Sequence, residues 1–191
     1  MRVEVTTWYL EMLSRAELRA AHAPENGTRV QVMRAEVPSP EFSRYLYTSV
    51  GGQWYWIARL DWDYAQWEAF VDRPDLETVV LYVAGTPAGY VEMEHQAEAN
   101  VEITCFGLVP RFIGQRLGGY LLSAGVDFAF ETGAGRVWLH TCNLDGPTAL
   151  ANYRSRGFRV FDTRTRTKEL PSASPGPWPN AYPSSGRNAT S

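Results

Sequence analysis

Leu108-Val-Pro-Arg-Phe-Ile-Gly-Gln-Arg-Leu-Gly-Gly-Tyr-Leu-Leu122 joins two different periodicities. Upstream, Val101-Glu-Ile-Thr-Cys-Phe-Gly-Leu108 is rich in β-branched and aromatic residues, which suit a pleated surface. Downstream, Leu117, Leu121, Leu122, Gly125, Val126 and Ala129 recur at helical spacing. The stretch therefore predicts a strand, a glycine-containing loop, and a helix over 114–132. Gly114, Gly118 and Gly119 carry no side chain, so the backbone can turn sharply there and approach a ligand. A helix N-terminus offers unpaired N–H groups and the positive end of the helix dipole, which makes a strand–loop–helix a cradle for phosphate. The spacing is neither Gly-x-Gly-x-x-Gly nor a Walker loop. Taken alone, it is equally well read as a surface loop with three glycines.

The flanking pattern narrows the choice. A second strand, Arg136-Val-Trp-Leu-His-Thr-Cys142, follows the helix. A second helix, Pro147 to Arg156, carries Tyr153, and the pattern closes on Gly157-Phe158-Arg-Val-Phe161. This region resembles the GNAT superfamily of acyl-CoA-dependent N-acetyltransferases. Its acyl-CoA loop reads Gln/Arg-x-x-Gly-x-Gly/Ala, and its last helix and strand read Ala-hydrophobic-x-x-Tyr-x-x-x-Gly-Phe. Ala149-Leu150, Tyr153 and Gly157-Phe158 match the second motif. The loop matches in part: Gly118 and Gly119 fit, whereas Ile113 replaces the usual Gln or Arg and Arg116 the usual first glycine. The resemblance covers about residues 76–167.

Composition sets the outer bounds. A chain of 191 residues is long enough for one domain with a real core. Its 45% hydrophobic and 20% charged residues are those of an ordinary globular protein. A net charge of −3 gives no reason to expect affinity for nucleic acid or an anionic membrane. Cys105 and Cys142, the two cysteines, are expected to pack as small apolar side chains rather than build a disulfide framework. No spacing suggests a metal. The N-terminus lacks the apolar core of a signal peptide and no run reaches membrane-spanning length, so a cytoplasmic monomer or homodimer is expected. The triplets at Asn26 and Asn188 then read as accidental glycosylation patterns.

The rest of the chain alternates between strands and helices. Strands are expected at Val3–Leu10, Arg29–Glu36, Thr78–Val83, Ala88–His95 and Phe158–Thr167. Helices are expected at Ser14–Ala21, from Ser39 to about Ser49, and at Asp63–Val71, the last two capped by Ser39 and Asp63. Residues 1–168 thus predict an α/β fold of GNAT type: a mixed, mostly antiparallel central sheet flanked by helices, with a central βαβ unit. Residues 169–191, rich in proline and serine, predict a disordered tail.

Transfer of an acetyl group to an amine requires a group that takes the amine's proton and, usefully, one that protonates the leaving thiolate. The resemblance implies Glu102 as the base, at the offset from the loop where histone-type members carry a glutamate. A carboxylate on the solvent side of a strand is the plain alternative. Tyr153 is implied as the group near the acetyl-CoA sulfur, its alternative being a packed tyrosine with a wet hydroxyl. His140 is a further acid/base candidate, since an unperturbed imidazole titrates near pH 6.5. The cofactor cradle would use Gly114, Gln115, Arg116, Gly118 and Gly119, with main-chain groups of Phe106 and Leu108 and the side chain of Asn143 on the pantetheine arm. Arg116 is expected in an ordinary turn or helical conformation, its guanidinium available to a phosphate.

Acceptor choice falls to the N-terminal half, where Tyr45, Tyr47, Trp54, Tyr55, Trp56, Trp62 and Trp67 crowd together. Most suit a core. A subset could line a cleft for an amine whose charge Asp61 or Asp63 pairs, and Glu92 with Glu94 could attract a cation or form a solvated face. The resemblance implies acetyl-CoA and a primary amine, most simply a small molecule, reacting directly in a ternary complex without metal or nucleic acid. Two other readings use the same residues: a non-catalytic acyl-CoA-binding module, motivated by Ile113 and Arg116, and a protein lysine or N-terminal acetyltransferase.

Overall fold

In the computed structural model, which describes residues 1–25, 27–178 and 181, the strands are β1 (Arg2–Met12), β2 (Val30–Arg34), β3 (Leu76–Val83), β4 (Thr86–Gln96), β5 (Asn100–Leu108), β6 (Arg136–Cys142) and β7 (Arg159–Glu169). The helices are α1 (Pro40–Gly51), α2 (Tyr64–Val71), α3 (Leu117–Glu131) and α4 (Ala149–Ser155). The strands form one sheet in the order β2-β3-β4-β5-β6-β1-β7. Every pairing is antiparallel except β5 with β6, which α3 connects as the expected βαβ unit. The α/β class and mostly antiparallel sheet are therefore as anticipated. Asn26 and Asn188 lie outside the described residues.

Two apolar layers sandwich the sheet. On one face α3 buries Leu117, Leu121, Leu122 and Val126 against Val91, Met93, Val101, Ile103 and Leu139. On the other, α1 and α2 bring Leu46, Tyr47, Val50 and Trp67 onto Val80, Tyr90 and Cys105. Ser39 accepts the Phe42 N–H at 3.1 Å, and Asp63 with Gln66 forms a reciprocal capping box, as their positions before apolar-faced helices suggest. Gly157 sits at φ +106°, and a Cβ there would lie 2.1 Å from the Glu17 carbonyl oxygen. Only glycine permits this tight return from α4 into β7.

Three local expectations change. Ser14 to Ala21 yields only a 3-10 turn at Arg15–Glu17, because Leu18 is the one apolar side chain there that meets the core. A helix needs an apolar stripe to bury, and this segment lacks one. The helix foreseen from Gly114 begins at Leu117, since Gly114 (φ +84°) and Arg116 (φ +61°) are left-handed. Of the disordered tail foreseen over 169–191, the first residues are held in place: Glu169 closes β7, Leu170 is buried, and Ser174 hydrogen-bonds Gly52, while 179–180 and 182–191 lie outside the described residues. An apolar anchor at Leu170 and a hydroxyl at Ser174 hold what composition alone marked as loose.

Candidate active site

One inserted residue opens the sheet. Glu92 on β4 pairs with Cys105, and the next residue, Met93, pairs with Ile103, leaving Thr104 as a β-bulge. The bulge reverses the side-chain alternation, so Ile103 joins the α3 layer and Cys105 the α1–α2 layer. A simple alternation of Val101, Ile103 and Cys105 would have kept all three together. Past this point β5 leaves β6: their parallel register runs only from Asn100/Arg136 to Ile103/Leu139. A cavity of about 1380 Å³ occupies the gap.

The cavity gathers residues from across the fold. Phe106 and Leu108 of β5 line it, as do Gly114, Arg116, Gly118 and Gly119 at the start of α3, Tyr153 of α4 and His140 of β6. Eight of the eleven candidate residues thus meet at one place, while Glu102, Gln115 and Asn143 are not among its lining residues. Gln115 turns its amide back onto the Arg111 carbonyl (2.8 Å). Asn143 extends the edge contact with β1, donating to the Glu4 carbonyl (3.1 Å) and accepting the Thr6 N–H (3.1 Å). Among the loop residues that line the cavity instead is Asp145, whose carboxylate accepts from the Thr141 hydroxyl (2.6 Å) and the Cys142 N–H (2.8 Å).

The start of α3 has no side-chain cap, so its first-turn N–H groups remain available, and Gly118 and Gly119 place them on the cavity. Behind them lies a cation that sequence reasoning missed. A Cβ on Gly119 would sit 3.1 Å from Arg156 Nη1, and Arg156 Nε is buried without a partner among the described residues. Arg116 adds a second positive charge but stands in the left-handed region, with φ +61° and ψ 14°. That is the conformation a glycine adopts freely, and it costs another residue about 1–2 kcal/mol. These donors and charges fit a diphosphate, such as the one coenzyme A carries.

Tyr153 is almost fully buried, packed against Phe106 (centroids 5.7 Å apart) and Phe158 (6.2 Å). Burial foremost, then the nearby Asp145 and Cys105, raise its hydroxyl well above the usual tyrosine value. It therefore remains a protonated donor throughout the working pH range.

Glu102 stands behind the cavity wall. Its carboxylate accepts from Gln96 Nε2 at 2.9 Å and lies 3.9 Å from His140 Nε2. Burial raises its pKa, the Gln96 bond opposes this, and Glu94 opposite it on β4 raises it further. Burial lowers the pKa of His140; Asp145 opposes the shift and Lys168 reinforces it. A neutral imidazole thus lines the cavity with a carboxylate at its back.

The opposite wall comes from the α1–α2 connection, with Trp54, Tyr55, Trp56 and Arg59 on the cavity. Arg59 makes a bidentate pair with Glu92 (2.8 and 3.0 Å), a carboxylate only 1% exposed. Thr104, the bulge residue, donates its hydroxyl to the same carboxylate at 2.8 Å. The guanidinium also lies over Phe70 (4.2 Å), Tyr47 (5.2 Å) and Trp62 (5.4 Å). Glu92 is therefore neither a solvated face nor free for a cation, and Glu94 is paired with Arg73 at 2.6 Å. Asp63 caps α2 and Asp61 is exposed, so neither contributes to the cavity. Tyr47, Trp62 and Trp67 belong chiefly to the second core layer, as the simpler reading had it.

Comparison with known proteins agrees with this geometry. The model of the acetyltransferase (GNAT) family matches residues 39–158. Streptothricin acetyltransferase of Streptomyces lavendulae is 32% identical over 81 residues, 42% of this chain and 42% of that protein. The matched stretch thus spans under half the length of that relative. A GCN5-related N-acetyltransferase from Kribbella flavida shares the fold at TM-score 0.63, with 18% identity over 87% of this chain and 58% of that one. An aminoglycoside acetyltransferase from an uncultured soil metagenomic sample, in complex with sisomicin, aligns at TM-score 0.55, with 17% identity over 66% of this chain and 86% of that one. With its parted β5 and β6, its uncapped glycine turn and a family match across most of its length, this chain belongs to the GNAT acetyltransferase family.

Proposed function

We propose that this protein transfers an acetyl group from acetyl-CoA to a primary amine on a small molecule. The observation that carries the reading is the opened seam between β5 and β6, where an anion cradle, a protonated tyrosine and a neutral histidine meet in one cavity. Acetyl-CoA supplies the acetyl group as an activated thioester. The first-turn N–H groups of α3, with Arg116 and Arg156, hold its diphosphate, and the main chain of Phe106 and Leu108 pairs with the pantetheine arm. His140 accepts the amine's proton as the C–N bond forms, and Glu102 behind it stabilises the imidazolium. The proposed base pair thus keeps Glu102 but places His140 between it and the substrate. Tyr153 gives its proton to the departing sulfur as the C–S bond breaks, and solvent restores both groups. The small-molecule acceptor is supported by the aromatic wall and by the relatives named for streptothricin and aminoglycosides.

Calorimetric titration with acetyl-CoA, beside desulfo-CoA and adenosine diphosphate, tests the cradle. Micromolar binding that requires the diphosphate is expected. Absence of binding would show that Ile113 and Arg116 have disabled the site and would leave a scaffold role. Proton transfer has its own signature in the pH profile. His140 works only when neutral, and its pKa is lowered below 6.5, so kcat/KM falls as pH drops through that lowered value. His140→Gln should remove this acidic limb and reduce kcat/KM about 100-fold. A variant that retains the limb would move the proton acceptor elsewhere, with direct action by Glu102 as the next test.

A further inference from the structure

The chain leaving β7 returns to the far side of the cavity and grips the turn that forms its aromatic wall. Ser174 Oγ donates to the Gly52 carbonyl at 2.7 Å and accepts the Tyr55 N–H at 3.1 Å. Gly176 N–H donates to the same Gly52 carbonyl at 3.1 Å. Room for this contact is scarce: a Cβ on Gly52 would lie 2.8 Å from Pro177 and 2.9 Å from Gly176. Tyr55 between these bonds is left-handed, at φ +59°, a conformation a tyrosine keeps only when its surroundings impose it.

The gripped turn reaches across the cleft. The Trp54 indole lies 3.6 Å from where a Cβ on Gly146 would sit, so the turn abuts the loop between β6 and α4. Trp56 packs on Gly51 and against Tyr47 (5.6 Å), which fixes the base of the turn to α1. Leu170, at the root of the returning segment, lines the cavity and is anchored by its N–H to the Met1 carbonyl at 2.9 Å. The segment therefore runs from the cavity's floor to the outside of its wall.

We propose that residues 170–178 are a strap that holds the 52–56 turn closed against the β6–α4 loop, with Ser174 as its positioning residue. Held there, the turn narrows the cleft, which limits acceptors to small amines and excludes lysine side chains on a polypeptide. This rests on the acetyl-transfer reading above for its chemistry, whereas the strap itself rests only on the geometry. Ser174 does not line the cavity, so it acts through Tyr55 and Trp54 and not by touching a substrate.

Amide hydrogen exchange and acceptor kinetics test this together. In Ser174→Ala the Tyr55 amide should exchange about tenfold faster, the effect of one lost hydrogen bond. Ser174→Thr, which keeps the hydroxyl, should restore protection. With benzylamine as the small probe and a twelve-residue lysine peptide as the large one, the wild-type protein should acetylate only benzylamine. Ser174→Ala should raise the benzylamine KM about tenfold, leaving kcat and acetyl-CoA affinity unchanged. Trp54→Gly should admit the peptide. Unchanged exchange at Tyr55 in Ser174→Ala would overturn the strap, and efficient acetylation of the peptide by the wild-type protein would overturn the size limit. Failure of the wild-type protein to bind acetyl-CoA would sink the acetyl-transfer reading instead, and the exchange measurement would still decide the strap.

Discussion

Replacing Arg59 by alanine is expected to cost about 3–5 kcal/mol of stability, because Glu92 would then be a buried charge without its partner. That is a large share of a total stability of about 5–15 kcal/mol. The carboxylate is 1% exposed and the guanidinium 14%, so water cannot replace the lost bonds. Thr104 would remain as a donor to Glu92, but one neutral hydroxyl does not compensate a carboxylate. Urea denaturation of Arg59→Ala, Glu92→Ala and the double variant measures the effect. The double variant should be clearly more stable than the sum of the singles predicts. Arg59→Met with Glu92→Leu should recover most of the loss, as apolar replacements of buried pairs commonly do. A loss under about 1 kcal/mol in Arg59→Ala would mean that the pair is solvated and does not hold the bulge.

Tyr153→Phe should separate chemistry from packing. Phenylalanine keeps the ring contacts to Phe106 and Phe158, so the fold and acetyl-CoA affinity should change little. Only the hydroxyl is lost, and with it the proton proposed for the leaving sulfur. Turnover is expected to fall about 10- to 1000-fold. Steady-state kinetics beside calorimetric binding would show kcat reduced at unchanged affinity, the pattern of an interaction made in the transition state. Because burial keeps the Tyr153 hydroxyl protonated, the decrease should be the same from pH 6 to pH 9. Wild-type turnover in this variant would remove Tyr153 from the mechanism.

The order of strands and helices was legible because elements announce themselves locally: β-branched and aromatic residues for β5, helical spacing for α3, caps at Ser39 and Asp63. The glycines of the cradle and Tyr153 were legible through their motifs. What escaped depends on contacts between distant segments. No local pattern marks Thr104 as a bulge, since its cause is a register shift against β4. Arg59 lies in an irregular connection 33 residues from Glu92, and nothing in either neighbourhood names the other as partner. Arg156 merely ended the predicted helix Pro147–Arg156, and no local pattern shows that it packs behind Gly119 at the start of α3. Ser174 was hidden by composition, because a segment rich in proline and serine carries no period at all.

The strand order also dictates when the site can exist during synthesis. Strands β2 to β5 are neighbours in sequence and in space, and can pair as soon as they emerge. β1, the first strand made, has no partner in that half; its neighbours are β6 and β7. It must wait until some 130 further residues have been added, which at ribosomal speed is many seconds. The cavity lies at the seam between the early half and the late one. A chain halted before β6 would carry the glycine turn but neither His140 nor Tyr153, so the proposed site is completed last, with the finished sheet.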